Sequence, residues 1–197
     1  MFLSDVDIEK GVKSGDIVIR DFDTTRLQPA SYDILLGGRF VVNEENITYF
    51  IDPAHKIYAH TKEINVPMGG EFILHPGVSV LGVSKDYFGS DKYLIQLSGK
   101  SSLARIGLMV HNTAGLINPG HFLNITFELC NLNNVPIILR PGMAIAQVIF
   151  SPISSPPRKS YRKVGRFAKN NWHHYAAPKD VHKRVAKAQE KKKPSRK

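Results

Sequence analysis

Short β-rich runs, separated by turn-forming residues, constrain the fold of this chain more than any other sequence feature. The runs recur at roughly ten-residue spacing, and signals such as Gly37-Gly38 and Pro141-Gly142 follow them. Many short strands at such intervals are typical of an all-β sandwich or a distorted barrel. The predicted strands are 17–19, 32–36, 40–42, 72–74, 78–83, 93–97, 125–129, 135–139 and 145–150.

Helical signals are confined to two places. Ser4 precedes Asp5 and Asp7, and apolar residues follow at helical spacing until Gly15, which predicts a short N-terminal helix. The stretch 101–106 predicts one internal helical turn. The sequence therefore predicts a mainly β protein with little helix.

Length and cysteine content exclude several classes of protein. With 197 residues the chain is long enough for one packed domain, and its single cysteine, Cys130, excludes a disulfide framework and a cysteine-built zinc site. No run of about 18 apolar residues is present, and the N-terminus lacks the pattern of a secretory signal. We expect a cytoplasmic protein.

The positive charge of the chain is concentrated in its C-terminal part. Residues 158–197 carry 15 Lys and Arg against 2 Asp and Glu, whereas the first 157 residues have a net charge of −3. A nucleic-acid footprint across the whole domain is therefore not supported. Residues 151–157 are rich in Ser and Pro and resemble a linker, and the basic tail 176–197 is predicted to be disordered.

A predicted strand runs into Gly99-Lys100-Ser101-Ser102, which is the first candidate for a binding site. Backbone N–H groups, two hydroxyls and a cation at such a point could hold a polyphosphate. The spacing of the glycines does not match a Walker A loop, and an ordinary polar turn explains the same residues.

Glu128 is the second unusual position. In the alternating run 125–129 it shares a strand face with Thr126. Such a glutamate can simply lie on a solvated face. If it faces a pocket instead, desolvation would raise its pKa and let it move protons in a reaction.

Several longer motifs follow one another along the chain: Leu27–Gly37, Gly99–Arg105, His111–Gly120, Asn124–Leu129 and Arg140–Met143. Taken in this order, they resemble the motifs of dCTP deaminases in the trimeric dCTP deaminase/dUTPase superfamily. The resemblance covers roughly residues 1–152 and continues weakly to about 175.

The resemblance implies a distorted β jelly-roll of the dUTPase-like type over residues 1–157, assembled as a homotrimer with active sites between subunits. The implied reaction converts dCTP to dUTP and ammonia on the way to thymidine nucleotides, with Mg²⁺ carried by the triphosphate and no zinc. By matched position, Glu128 is the general base and acid, and Ser101 and Arg105 are the other catalytic residues. The implied substrate-binding residues are Lys100, Ser101, Ser102, Arg105, Thr113, Ala114, Gly115, Asn118, Gln147, Tyr161, Arg166 and Asn170.

The residue content agrees with a reaction that needs no zinc. Zinc nucleobase deaminases use a His or Cys with a nearby Glu and a pair of cysteines, and this chain has one cysteine. The scattered histidines, His121 among them, are therefore predicted to be structural or solvated. His111 lies within a motif and is predicted to order the site.

Two positions depart from the family pattern and bear on the products. Asn118 stands where the family carries Asp, and an amide can bind a sugar hydroxyl but cannot take a proton. Gly115 matches bifunctional members that form dUMP and diphosphate. The main expectation is deamination alone, because Asn118 affects the chemistry directly, and the alternative is a bifunctional deaminase/diphosphatase or a dUTPase.

The C-terminal part leaves further alternatives open. Residues 158–175 match a site-closing arm of the form Tyr…Lys-Tyr-x-x-Gln through Tyr161, Arg166, Phe167 and Asn170, but a plain basic tail is the competing interpretation. Residues 172–175 have no assigned counterpart. A further alternative is a non-catalytic trimer that binds nucleic acid or a partner through its tail. Inhibition by dTTP also stays open.

Overall fold

The computed structural model describes residues 1–44, 48–55 and 57–168 of the chain. Asn170, residues 172–175 and the basic tail 176–197 lie outside the described residues. The helices are α1 (Asp5–Ser14), α2 (Ser101–Ala104) and α3 (Tyr161–Val164), with a 3₁₀ turn at Thr24–Arg26. The strands are β1 (Val18–Ile19), β2 (Leu27–Gln28), β3 (Ser31–Asn43), β4 (Thr61–Asn65), β5 (Phe72–Leu74), β6 (Ser79–Ser90), β7 (Tyr93–Gly99), β8 (Leu108–Met109), β9 (Leu116–Ile117), β10 (His121–Asn131), β11 (Ile137–Leu139) and β12 (Ala144–Pro152).

Helix α1 begins and ends where the sequence predicts. The Ser4 hydroxyl accepts a hydrogen bond from the Asp7 backbone N–H at 3.4 Å, which satisfies one free donor of the first turn. At the other end Gly15 adopts φ +79°, and its N–H donates to the Val12 carbonyl. The predicted internal turn is also present, as α2.

One large antiparallel sheet forms the body of the molecule. Its ten strands follow the order β8-β10-β6-β3-β12-β7-β9, with β1 added to β6, and β2 and β4 added to β3. A second, two-stranded sheet pairs β5 with β11. The predicted mainly β architecture with a short N-terminal helix is therefore confirmed. Among the described residues, none of the helices is long and apolar enough to cross a bilayer.

The prediction of two strands separated by a turn at Gly37-Gly38 is wrong. Both glycines lie inside the single strand β3, where the pairing with β6 shifts register between Leu36 and Phe40. A Cβ on Gly37 would lie 2.8 Å from the Val83 carbonyl oxygen, and one on Gly38 would lie 2.2 Å from that of Val66. The glycines allow a close approach of neighbouring backbone rather than a chain reversal.

The long strands β3 and β10 connect the core to the surface that carries the candidate site. Phe40 of β3 and Phe127 of β10 are fully buried, and the Phe40 ring stacks on Phe72 with centroids 4.1 Å apart. Burial alternates along the whole of β10, so every second side chain, including that of Glu128, is only half-buried. This alternation fixes which side chains of β10 leave the core.

Candidate functional site

A cavity of about 540 Å³ lies against β10 and the neighbouring strands β6 and β3. Four of the residues predicted for the site line it: Ala114, Asn118, Glu128 and Tyr161. The wall is largely apolar. The other lining residues are Val41, Asn43, Ile51, Tyr58, Ala59, Thr61, Ser79, Val80, Leu81, Leu116, Ile117, His121, Leu123, Asn124, Ile125, Thr126 and Phe167.

The Glu128 carboxylate faces this cavity rather than bulk solvent. Its strand position lies opposite Leu81 of β6, and Thr126 lines the cavity on the same face, as the alternation predicts. Burial raises the pKa of Glu128, while a hydrogen bond from the backbone of Asn112 and the electrostatic influence of nearby His111 lower that pKa by smaller amounts. The alternative of a solvated strand face is therefore wrong.

One oxygen of this carboxylate is available for chemistry. Within the described residues, Glu128 Oε2 is buried and has no hydrogen-bond partner in the chain. A buried carboxylate oxygen without a partner carries a desolvation cost, which a bound water or a substrate proton donor would relieve. Glu128 can accept a proton from a group in the cavity and return it.

The segment 110–120, which contains the short strand β9, brings two more predicted residues to the cavity. Gly115 anchors this segment, because its carbonyl accepts a hydrogen bond from the Leu97 N–H at 2.7 Å. Ala114 and Asn118 on either side line the cavity, whereas Thr113 is exposed and does not. A Cβ on Gly115 would lie 3.0 Å from the Leu97 carbonyl oxygen and 3.4 Å from the His111 ring, so this position favours glycine.

Residues 160–168, here called the rim segment, lie along one end of the cavity. The Tyr161 ring stacks on His121 with centroids 4.1 Å apart, and the Phe167 carbonyl lies 3.2 Å from His121 Nε2. Tyr161 and Phe167 line the cavity. Arg166 is exposed, with its guanidinium 5.5 Å from the centre of the Phe167 ring.

The remaining predicted residues form a second group that does not line this cavity. Ser101, Ser102 and Arg105 are exposed on and beside α2, at the end of β7. Gln147 of β12 accepts a hydrogen bond from the Ser31 hydroxyl at 2.8 Å and donates to the Gly99 carbonyl at 3.3 Å. In a single chain the two groups of residues therefore do not converge.

Lys100 does not extend into solvent. Its ammonium forms a mostly buried ion pair with Asp33 of β3, which ties the start of α2 to the central sheet. Asp33 already neutralises this charge, and a phosphate would have to compete with that carboxylate. The exposed cation of this group is Arg105.

The donor set of the described residues does not match a metal ion held by protein side chains alone. No three His, Cys, Asp or Glu side chains converge among residues 1–44, 48–55 and 57–168. Mg²⁺ takes oxygen ligands and is commonly bound through substrate phosphates with few protein groups. That Mg²⁺ arrives with a nucleotide stays a prediction.

Sequence reasoning does not place His121 at the site, although it predicts a structural or solvated histidine there. The buried ring lines the cavity and contacts both aromatic residues of the rim segment, which agrees with a structural position and not with a solvated one. The position of His121 directly after Pro119-Gly120, where β10 begins, was the available signal.

Relatives of known name match most of the chain. The model of the dCTP deaminase-like family matches residues 2–153. A Corynebacterium jeikeium protein named "dCTP deaminase, dUMP-forming" is 44% identical over 163 residues, which cover 82% of this chain and 86% of that protein. A Halorubrum lacusprofundi protein named "dCTP deaminase" is 39% identical over 166 residues, covering 82% of each.

A solved structure shares the fold. The 2'-deoxycytidine 5'-triphosphate deaminase of Agrobacterium tumefaciens superposes with a TM-score of 0.59 at 19% identity, over 77% of this chain. This chain spans about half, 48%, of that chain. The superposition confirms the predicted fold class, and the sequence matches confirm the resemblance. The chain belongs to the dCTP deaminase-like family.

Proposed function

We propose that this chain is a dCTP deaminase that releases ammonia and forms dUTP. The observation that carries the proposal is Glu128, a carboxylate of raised pKa with a buried, unpartnered oxygen on the wall of a cavity. Membership of the dCTP deaminase-like family and the names of the relatives support the choice of substrate. A carboxylate in this setting is suited to general base and acid chemistry.

In this proposal Glu128 moves both protons of the attacking water. The water oxygen forms a bond to C4 of the cytosine while Glu128 takes one proton and delivers it to the ring nitrogen N3. The second water proton then passes through Glu128 to the amino group. The C4–N bond breaks, ammonia leaves, and the C4 oxygen becomes the carbonyl of uracil.

The triphosphate is assigned to the second group of residues, from a neighbouring subunit of a homotrimer. Ser101, Ser102 and Arg105 are exposed and lie away from the cavity of their own chain. Two hydroxyls and a guanidinium suit phosphate oxygens, and Mg²⁺ bound to the triphosphate would neutralise the remaining charge. Sites between subunits would bring this group to the Glu128 of the next chain.

The first test is a product analysis with Mg²⁺ and dCTP, with nucleotides separated by anion-exchange chromatography. The parent is expected to form dUTP, and Glu128→Gln should lower turnover by about 10²–10⁴-fold while nucleotide binding is kept. Cys130→Ser, two residues further along the same face of β10 but outside the cavity lining, is the matched control and should keep parental turnover. Turnover of Glu128→Gln within tenfold of the parent would contradict the role of Glu128.

A second candidate function is the further hydrolysis of dUTP to dUMP and diphosphate. The names of the relatives favour this function, since the Corynebacterium jeikeium protein and further relatives of 40–43% identity are named dUMP-forming. Gly115, which packs closely against Leu97 and His111, is the residue that the resemblance assigns to bifunctional members. Asn118 on the cavity wall argues against hydrolysis, because an amide cannot take the proton of a hydrolytic water.

Incubation with dUTP separates the two functions. If Asn118 limits hydrolysis, dUTP persists with the parent, and Asn118→Asp releases diphosphate from dUTP at a rate at least tenfold above that of the parent. Asn118→Ser, which keeps a small polar side chain without a carboxylate, is the control and should leave dUTP intact. Rapid formation of dUMP by the unmodified protein would establish the second function instead.

A further inference from the structure

His121 makes two separate contacts with the rim segment. It is the first residue of β10, only 7% exposed, and its ring stacks on that of Tyr161 with an interplanar angle of 25°. The 3.2 Å contact from Nε2 to the Phe167 carbonyl is the second. A carbonyl only accepts hydrogen bonds, so Nε2 is the donor, which defines the tautomer of the neutral ring.

These two contacts lie near the two ends of the rim segment. Tyr161 begins α3 and Phe167 follows it by six residues, and both line the cavity. One imidazole therefore contacts the segment at the start of its helical turn and again after that turn has ended.

The backbone around His121 is shaped for this close approach. Gly120 has φ +85°, and a Cβ there would lie 2.4 Å from the Ser160 hydroxyl. A Cβ on Gly165 would lie 2.2 Å from the Tyr161 ring. The Tyr161 N–H also donates to the Pro119 carbonyl at 3.4 Å. Glycine at both places lets the segment pack directly over the start of β10.

We propose that His121 is a positioning residue that seats the rim segment on the cavity, with Tyr161 and Phe167 in place on its wall. The proposal deepens the function proposed above, since its kinetic consequence depends on nucleotide binding in this cavity. The seating itself is a property of the folded chain and can be measured without any turnover.

The first experiment follows trypsin cleavage at the basic residues within the segment. The target bonds are those that follow Arg162, Lys163 and Arg166. The fragments that end at these residues are quantified by intact-mass spectrometry. Loss of the stack and of the hydrogen bond in His121→Ala should accelerate these cleavages by about tenfold. In the same variant, KM for dCTP should rise about tenfold while kcat changes by less than about threefold, since Glu128 is untouched.

Two conservative variants separate the contacts. His121→Phe keeps an aromatic ring for Tyr161 without the donor, and His121→Gln keeps an amide donor without the ring. Each should recover part of the protection from trypsin that His121→Ala loses. Glu71→Gln is the matched control, because it removes an exposed ion pair to Arg140, outside the rim segment, and should leave cleavage within twofold of the parent.

A double-mutant cycle combines His121→Ala with Tyr161→Leu. It keeps the test valid even if one of the single variants is less stable than the parent. If His121 acts through Tyr161, the two substitutions should be strongly non-additive in cleavage rate, whatever each does alone. Parental cleavage in His121→Ala, or full additivity in the cycle, would overturn the proposal. Absence of dCTP turnover in the parent, with the cleavage results as expected, would overturn the proposed function and leave the seating intact.

Discussion

The acid–base behaviour of Glu128 follows from its place on β10. The strand turns this side chain away from the core, and the cavity then removes it from bulk water, so that burial raises its pKa. His111 and the Asn112 backbone oppose that effect without cancelling it. A neutral carboxyl group is therefore favoured over a wider pH range in the folded chain than in the unfolded one.

The raised pKa of Glu128 predicts a specific dependence of stability on pH. Because the folded chain holds this proton more tightly, the stability it contributes is complete below the unfolded pKa of 4.5 and is lost as pH rises through the folded value. Glu128→Gln has no such proton to lose. Its free energy of unfolding, measured by urea denaturation at fixed protein concentration, should improve relative to the parent between about pH 4 and about pH 8.

A constant difference between the two proteins across that range would contradict the raised pKa of Glu128. Glu63→Gln provides the control, since its exposed carboxylate lies on β4, outside the cavity lining. Its free energy of unfolding should stay at a nearly constant offset from that of the parent.

At the scale of single residues, the sequence predicts a site residue only where a local pattern or a family motif contains it. Alternation alone placed Glu128 on the face of Thr126, but only the resemblance singled out Ala114, Asn118 and Tyr161. The cavity itself depends on how β3, β6 and β10 curve together, which no local pattern encodes. His121 was missed for the same reason, because its contacts come from a segment about 40 residues away in the chain.

At the scale of elements, β3 shows how packing overrides a turn signal. Two adjacent glycines between apolar runs are typical of a chain reversal, which explains the prediction of two strands. In the folded chain the Gly38 carbonyl instead accepts a hydrogen bond from the Val66 N–H at 2.7 Å, beyond the end of β4. Strand β4 was not predicted at all, since its sequence Thr61–Asn65 is mostly polar and exposed.

Gly38→Ala is expected to destabilise the fold. The added Cβ would lie 2.2 Å from the carbonyl oxygen of Val66, a residue whose N–H is hydrogen-bonded to the Gly38 carbonyl. Overpacking of this kind costs about 1–3 kcal/mol, which lowers the melting temperature by about 2–4 °C for each kcal/mol in a chain of this size. Differential scanning calorimetry measures the shift.

Gly99→Ala is the control for Gly38→Ala, because Gly99 also lies within a strand, β7. A Cβ there would meet only a Val110 methyl group at 3.5 Å, an ordinary contact. Its melting temperature should stay within about 2 °C of the parent. Equal shifts in the two variants would show that the close approach at Gly38 does not limit its replacement.

At the scale of the whole molecule, the residues assigned to catalysis and binding are divided between two surfaces. Glu128, Asn118 and Tyr161 line the cavity, while Ser101 and Arg105 are exposed beside α2. The proposed homotrimer explains this division, because a closed ring places one surface of each subunit against the other surface of its neighbour.

Mixing two inactive variants tests the division directly. If each site takes Glu128 from one subunit and Arg105 from the next, Glu128→Gln and Arg105→Ala subunits refolded together in equal amounts should regain roughly a quarter of parental activity by random assortment. The control replaces the Arg105→Ala partner with the Glu128→Gln/Arg105→Ala double variant, which leaves no intact pairing. Activity no greater than that of the separate variants would place both residues in one subunit.

The ion pair between Lys100 and Asp33 attaches α2 to β3, so the length of β3 sets the distance between α2 and the cavity wall. Asp33 holds the start of α2 near one end of the strand, and Val41, eight residues further on, contributes to the cavity wall about 26 Å away at about 3.3 Å per residue. A single-residue insertion within β3 would invert the faces beyond it and lengthen this distance. Changes in chain length are better tolerated at exposed positions such as 134–136, which belong neither to the cavity lining nor to α2.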